Sequence, residues 1–330
     1  MEKLIEVLQI QSVSGNQKLM YDYLINEVKS IDGCKITQGK GNIYVTKGAG
    51  PYPCVVSHMD TVHSIVEDLT VLQFGDKLTG FNTVKMKQTG IGGDDKVGIF
   101  ITLECLRRFD NIKVAFFRDE EVGCKGSYKA NMNFFKDCCY VLQCDRRGNS
   151  DFIVNASGVE LSSYEFQDAI SPTLTSYGYK FDHGMMTDVM ALKERGLNVC
   201  CANMSCGYYN PHQSDEYVVI KDVQDCLSMV MDIIQTVGSR VFQHSYSVNK
   251  RYSTPFGLLR SYTSNTIDLG LNEEEDTERF NFKDNMCNDC WYRPAVAQGL
   301  CKECLDYHQA LTERLYKERH KLDYSERGRI

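Results

Sequence analysis

Apolar positions along residues 2–237 switch repeatedly between a helical and a strand period. The helical period marks 2–10 and then 16–30, where "LMYDYLINEV" follows Ser14 and Asn16, both suited to capping a helix N-terminus. Short strands are read at "KITQG" and "NIYVTKG". The run "PCVVSHMDTV" is β-branched and apolar as far as His58, the pattern of a strand buried on both faces with polar groups at its carboxyl end. A hairpin follows at "LTVLQFGDKLTGFN", then a helix over 95–109, a strand "IKVAFFRDEE", a short helix near 125 and the strands "CYVLQCDR" and "DFIVNA". Helices at 162–177 and "TDVMALKERG", a strand "LNVCCANMSC" and an amphipathic helix over 220–237 complete the periodic part. This alternation predicts an α/β layer fold whose ligands gather at the carboxyl ends of its strands. Periodicity fades over 239–285, where "NEEEDTER" adds a solvated charge run, so a linker or extension is expected between a domain at 1–238 and a small module at 286–330.

Composition narrows the class. No stretch approaches the length of apolar sequence that spans a bilayer, and "MEKLIEVLQI" lacks the basic and apolar regions of a signal peptide. Eleven of the fifteen cysteines are scattered through apolar elements, as small core residues of a protein in a reducing compartment would be, and the other four form two CxxC pairs. A soluble, cytoplasmic chain with no membrane partner is therefore expected. A net charge of −7 argues against a nucleic-acid footprint over the main domain.

Five segments put carboxylates or imidazoles at predicted element ends: "SHMDTV", "GGDDKVG", "RDEEVGCKGS", "QCDRRG" and "YYNPHQSDEY". Singly, each has a bland reading as a helix cap, a solvated pair or a structural histidine. Together, the order His, Asp, Glu, Asp, His supplies a bridging carboxylate plus one imidazole and one further carboxylate for each of two divalent cations. Zinc suits this mixed nitrogen and oxygen set, and cobalt or manganese can substitute. Two apart on a strand, His58 and Asp60 share a face, which lets the carboxylate orient the imidazole. Glu120 and Glu121 are adjacent and diverge, so one can bind metal while the other handles the proton of a water, the division of labour that hydrolysis needs.

These ordered motifs resemble the co-catalytic dizinc exopeptidases, the clan that holds peptidase T, bacterial glutamyl and leucyl aminopeptidases, and aminoacylases. The opening "LQIQSVSGNQKLMYDYL" and the strand "GNIYVTKG" are also similar to peptidase T, and the resemblance covers roughly 1–237. It implies a three-layer α/β/α fold with a central mixed sheet. It also implies that Asp94 bridges two Zn2+ ions, that His58 and Asp145 complete one site, and that Glu121 and His212 complete the other. Glu120 is then the general base, Asp60 the orienting carboxylate, and the Asp94–Asp95 peptide cis. The Asp145 to His212 interval is too short for the lid or dimerisation domain of that family, so a minimal catalytic domain is expected, with Tyr208 and His183 as candidates for the missing oxyanion contact. Aspartate at 145 accompanies aminopeptidases in the family, which implies a metallopeptidase releasing residues from small peptides. The alternatives are an N-acyl amino acid deacylase or a carboxypeptidase with the same metal chemistry, and, from another class, a silent scaffold that binds through its carboxyl-terminal module.

That module holds Cys287, Cys290, Cys301 and Cys304 as CxxC, ten residues, CxxC, a spacing that suits one tetrahedral structural zinc and is similar to zinc ribbons. At this size the metal would supply much of the folding energy. Protein contact, nucleic-acid contact and plain packing on the main domain all stay open for it.

Overall fold

The computed structural model describes residues 2–246, and the cysteine module expected at 286–330 lies outside the described residues. In chain order the elements are α1 (Glu2–Gln9), α2 (Lys18–Lys29), β1 (Cys34–Gly39), β2 (Asn42–Lys47), β3 (Tyr52–His58), β4 (Leu69–Phe74), β5 (Lys77–Asn82), β6 (Lys87–Thr89) and α3 (Gly93–Arg108). There follow β7 (Ile112–Phe117), α4 (Lys125–Tyr128), β8 (Cys138–Arg146), β9 (Asp151–Ala156), β10 (Val159–Glu160), α5 (Tyr164–Ser176) and β11 (Lys180–Gly184). The last are α6 (Asp188–Glu194), β12 (Cys201–Ser205), β13 (Tyr208–Tyr209), β14 (Tyr217–Val219) and α7 (Ile220–Val237).

A nine-stranded mixed sheet runs in the order β1-β2-β7-β3-β8-β12-β9-β10, with β11 beside β9. At its centre β3 lies parallel to both β7 and β8, and β12 parallel to β8. Every residue of β3 and β7 is buried, which is why their sequences read as continuous apolar runs. Successive side chains of a strand point to opposite faces. Accordingly Val55 belongs to one apolar core with α1, α3 and α7, whereas Cys54 and Val56 belong to a second with Val189 and Leu192 of α6. Helices thus cover both faces. α1 joins the first core through Leu4, Val7 and Leu8, one face of a helix at its natural spacing.

The parallel central strands bring the carboxyl ends of β3, β7 and β8 to one edge, and His58, the turn after Phe117, and Asp145 arrive there together. A smaller sheet, β13-β14-β5-β4 with β6 on β5, carries the loop holding His212. Between Asp145 and His212, strands β9 to β12 all join the central sheet, and no separate lid stands in this interval among the described residues.

Several expectations change. The strand read at "LNVCCANMSC" begins only at Cys201, and just before it the Cys200 N–H donates to the Phe242 carbonyl. β11, β13 and β14 escaped notice: "KFDHG" is almost wholly exposed and polar, and the other two are two and three residues long, too short for a period to register. Gln17, not Ser14 or Asn16, precedes α2, and no side chain caps it. No helix among the described residues is long and apolar enough to cross a membrane.

Candidate active site

Asp94 sits where the glycine turn enters α3, at backbone angles that are not helical, and its peptide to Asp95 is cis. Its two carboxylate oxygens face different partners: Oδ1 lies 3.2 Å from His58 Nε2, and Oδ2 lies 3.3 Å from His212 Nε2. Asp145 Oδ1 stands 3.6 Å from the same His58 nitrogen, and Glu121 Oε2 is 3.1 Å from His212 Nε2. The result is two groups, His58 with Asp94 and Asp145, and Asp94 with Glu121 and His212, each with its ligand-type atoms within 4.8 Å of one another. Asp94 belongs to both.

Electrostatics single out the cluster. Burial, then the neighbouring Asp94 charge, pushes Asp145 up to about 8 and Glu121 up to about 7. His212, bonded to Asp94 and Glu121, is raised to about 11. Burial alone would lower His58, but the carboxylates of Asp145, Asp60 and Asp94 outweigh it and hold the ring well above its ordinary value. Glu121 Oε1 is buried and without a hydrogen-bond partner. A buried carboxylate oxygen left bare is costly, and crowded carboxylates repel. A divalent cation in each group would answer both, so the donor set fits such ions chemically: imidazole nitrogen and carboxylate oxygen are borderline and hard donors of the kind zinc, cobalt and manganese accept.

Asp95 has a different task from its neighbour. Fully buried, it accepts the Gly98 N–H on Oδ1 and the His58 N–H on Oδ2, both at 3.1 Å, so it caps the regular part of α3, which begins after it, and ties that start to the end of β3. The Asp60 carboxylate stands beside the His58 ring and has a second task as well. Strand β3 ends at His58, so alternation does not extend to it, and His58 Nδ1 meets the Asp60 backbone oxygen at 2.9 Å while the nearer carboxylate oxygen is 3.6 Å away. The same carboxylate also accepts the Glu120 N–H at 2.8 Å, the Glu121 N–H at 3.3 Å and the Ser14 hydroxyl at 2.7 Å. It therefore positions the backbone of both glutamates.

The two glutamates diverge: Glu121 turns to His212, and Glu120 Oε1 accepts the Cys124 thiol at 3.3 Å. Burial raises the Glu120 carboxyl well above its usual range, with Asp188, Asp145 and Glu121 adding to the effect against His58. Tyr208 is buried and donates its hydroxyl to Asp145 Oδ1 at 3.2 Å. His183 lies exposed on β11 opposite Asn155 and belongs to neither group.

Sequence reading missed the residues that hold these in place. Asn203 accepts the Asp145 N–H at 2.9 Å, and Gln143 reaches both Asp145, at 3.1 Å, and Asp188, at 3.3 Å. Asp119, at the left-handed φ of 53°, accepts the Gly15 N–H at 2.8 Å and so anchors the loop that presents Ser14. Only "VSGN" carried a usable signal, because a serine and glycine before a helix suit a structured loop as well as a cap.

Asp188 offers a clean test of this buried electrostatics. It is wholly buried at the start of α6, near His58 at the end of β3, Asp60 just beyond that strand, Ser127 of α4 and Gln143 of β8, and burial raises its carboxyl from 3.8 to about 6. The folded state then keeps the proton longer than the unfolded chain, so stability falls as pH rises from about 4 to about 6, by on the order of 2 kcal/mol. Asp188→Asn should therefore gain stability over the parent at pH 7 relative to pH 4, read by denaturant unfolding of chelator-treated protein. A gap unchanged between the two pH values contradicts the assignment.

No protein-family model matches the sequence, and comparison with curated proteins finds no match. Solved structures share the fold. A tripeptidase from Staphylococcus aureus superposes with a TM-score of 0.59 at 14% identity, over 72% of this chain and 97% of that one. Aminopeptidase PepT from Bacillus cereus gives 0.58 at 13% identity over 72% and 97%, and an aminopeptidase from the archaeon Desulfurococcus kamchatkensis gives 0.55 at 14% over 72% and 98%. At these identities the likeness establishes the fold, a mixed α/β architecture on a central mixed sheet. This chain has that fold, with clustered carboxylates and imidazoles at the carboxyl edge of the sheet.

Proposed function

We propose that the chain is a metal-dependent hydrolase of small peptides, an aminopeptidase of the dizinc exopeptidase type built on a minimal catalytic domain without a lid. The observation that carries this reading is the Asp94 carboxylate with one oxygen turned to each of two ligand groups. His58, Asp94 and Asp145 would hold one Zn2+, and Asp94, Glu121 and His212 the other. Bound there, two divalent ions would polarise a peptide carbonyl and acidify water.

The side chains then divide the remaining work. Glu120, whose carboxyl burial raises well above its usual range, takes the proton of the attacking water and returns it to the leaving amine. Asp60 holds the Glu120 backbone in place, and Ser14 holds Asp60. The Tyr208 hydroxyl, a neutral donor beside Asp145, is proposed to help hold the substrate oxygen. The fold of the peptidase neighbours supports the class, and the aspartate at 145 supports action at a free amino end. A separate zinc module at 286–330, held by Cys287, Cys290, Cys301 and Cys304, remains part of the proposal.

A substrate panel decides it. Unblocked di- and tripeptides should be cleaved, with activity abolished by chelator and restored by zinc or cobalt, whereas cleavage of N-acyl amino acids alone would make the protein a deacylase. Absence of any chelator-sensitive amide hydrolysis would overturn the assignment.

A further inference from the structure

Glu216 follows His212 in "HQSDE" and belongs to neither ligand group, yet it is wholly buried. A carboxylate is kept in such a place only by strong partners. Glu216 Oε2 accepts the Gly92 N–H at 2.7 Å and meets His63 Nε2 at 2.7 Å, while Oε1 accepts the Asp94 N–H at 3.2 Å. One side chain thus joins three segments, each carrying a member of the cluster: the loop after His58, the turn entering α3, and the stretch after His212.

The turn is shaped to receive it. Gly92 adopts φ +70°, a conformation that glycine takes at no steric cost. A Cβ on Gly93 would stand 2.7 Å from Tyr208 Cβ, 2.9 Å from Val218 Cγ2 and 3.3 Å from Glu216 Oε1, so the backbone is pressed against the wall that holds Glu216. Gly90 packs against the His63 ring in the same way. From the other side, Lys96 Nζ donates to the Ile91 and Leu8 carbonyls at 2.9 and 3.0 Å. An aspartate has only two side-chain torsions, so where its oxygens lie depends on where its backbone is held. Asp94 is held at its own N–H by Glu216 and, one residue on, through the bonds of Asp95 to His58 and Gly98.

We propose that Glu216, with His63 as its partner, is a positioning residue that fixes the Gly92–Asp94 turn so that Asp94 presents one oxygen to each ligand group. The inference rests on the dimetal reading of that site. Glu216→Gln supplies the test, because an amide offers one oxygen and one NH2 where two oxygens now accept, so one of the two backbone N–H groups would face a donor.

Titration of the chelator-treated proteins with Zn2+ or Co2+ should show the dissociation constants of both sites rising together by about 10- to 100-fold in Glu216→Gln. Both move because Asp94 is common to both groups. Glu121→Gln should weaken one site only, and His63→Gln, which leaves the carboxylate, should raise both constants by less than Glu216→Gln does. The visible absorption of the Co2+ form should change in Glu216→Gln. A merely structural role would lower the melting temperature of the metal-free variant while leaving affinities and the Co2+ spectrum as they were, and that result overturns the proposal. If Glu216→Gln does not fold, His63→Gln decides, and unaltered affinity at both sites overturns the proposal. Parent protein that fails to bind two ions sinks the underlying dimetal reading instead, a separate outcome.

Discussion

Asp94→Ala is expected to lose both metal ions and to lower turnover by about 10³-fold or more. The reason is geometric: one carboxylate serves two groups, with Oδ1 toward His58 and Oδ2 toward His212. Its removal leaves each group with one imidazole and one carboxylate, too few protein ligands for a zinc site of the usual three or four. Several kcal/mol of transition-state stabilisation would go with the ions, which at 1.36 kcal/mol per tenfold gives the stated factor. Elemental analysis of the purified protein should read two ions more in the parent than in the variant. His58→Ala, by contrast, removes a ligand from one group alone and should leave one ion. Retention of both ions by Asp94→Ala removes the basis of the functional reading.

Glu120→Gln should behave in the opposite way, keeping both ions while kcat falls by about 10²- to 10⁴-fold, the usual contribution of a positioned proton carrier. Glu120 is absent from both ligand groups, and its Oε1 meets the Cys124 thiol instead. The amide is nearly the same size and accepts the same hydrogen bond, so the Asp60 bond to the Glu120 backbone should survive. Undiminished turnover in this variant would return Glu120 to a structural role. Loss of metal would mean that it is a ligand. The two substitutions together separate the binding of ions from the handling of the proton.

Much of this was legible in order along the chain. Fully buried parallel strands must be apolar on both faces, so β3, β7 and β8 announced themselves and the polar residues at their ends stood out. The helix pattern gave α1, α5 and α7 to within a few residues. Ser14 was misread because a hydroxyl before a helix has two outlets, the helix N–H groups and a distant acceptor, and only the fold brings Asp60 within 2.7 Å. Glu216 was passed over for the same reason: in "HQSDEY" it looks like one more solvated carboxylate, and its burial depends on Gly92, Asp94 and His63 from far earlier in the chain.

By itself the sequence determined the α/β alternation and the kinds of donor available, because periodicity and residue chemistry are local properties. It also set the doubled aspartate at the mouth of α3. The tertiary structure decided which oxygen faces which histidine, that Asp95 caps the helix while Asp94 turns to the site, and that Asp60 secures the Glu120 loop more closely than the imidazole. These are contacts between segments tens of residues apart, set when parallel strands bring their carboxyl ends together, and no period along the chain encodes them.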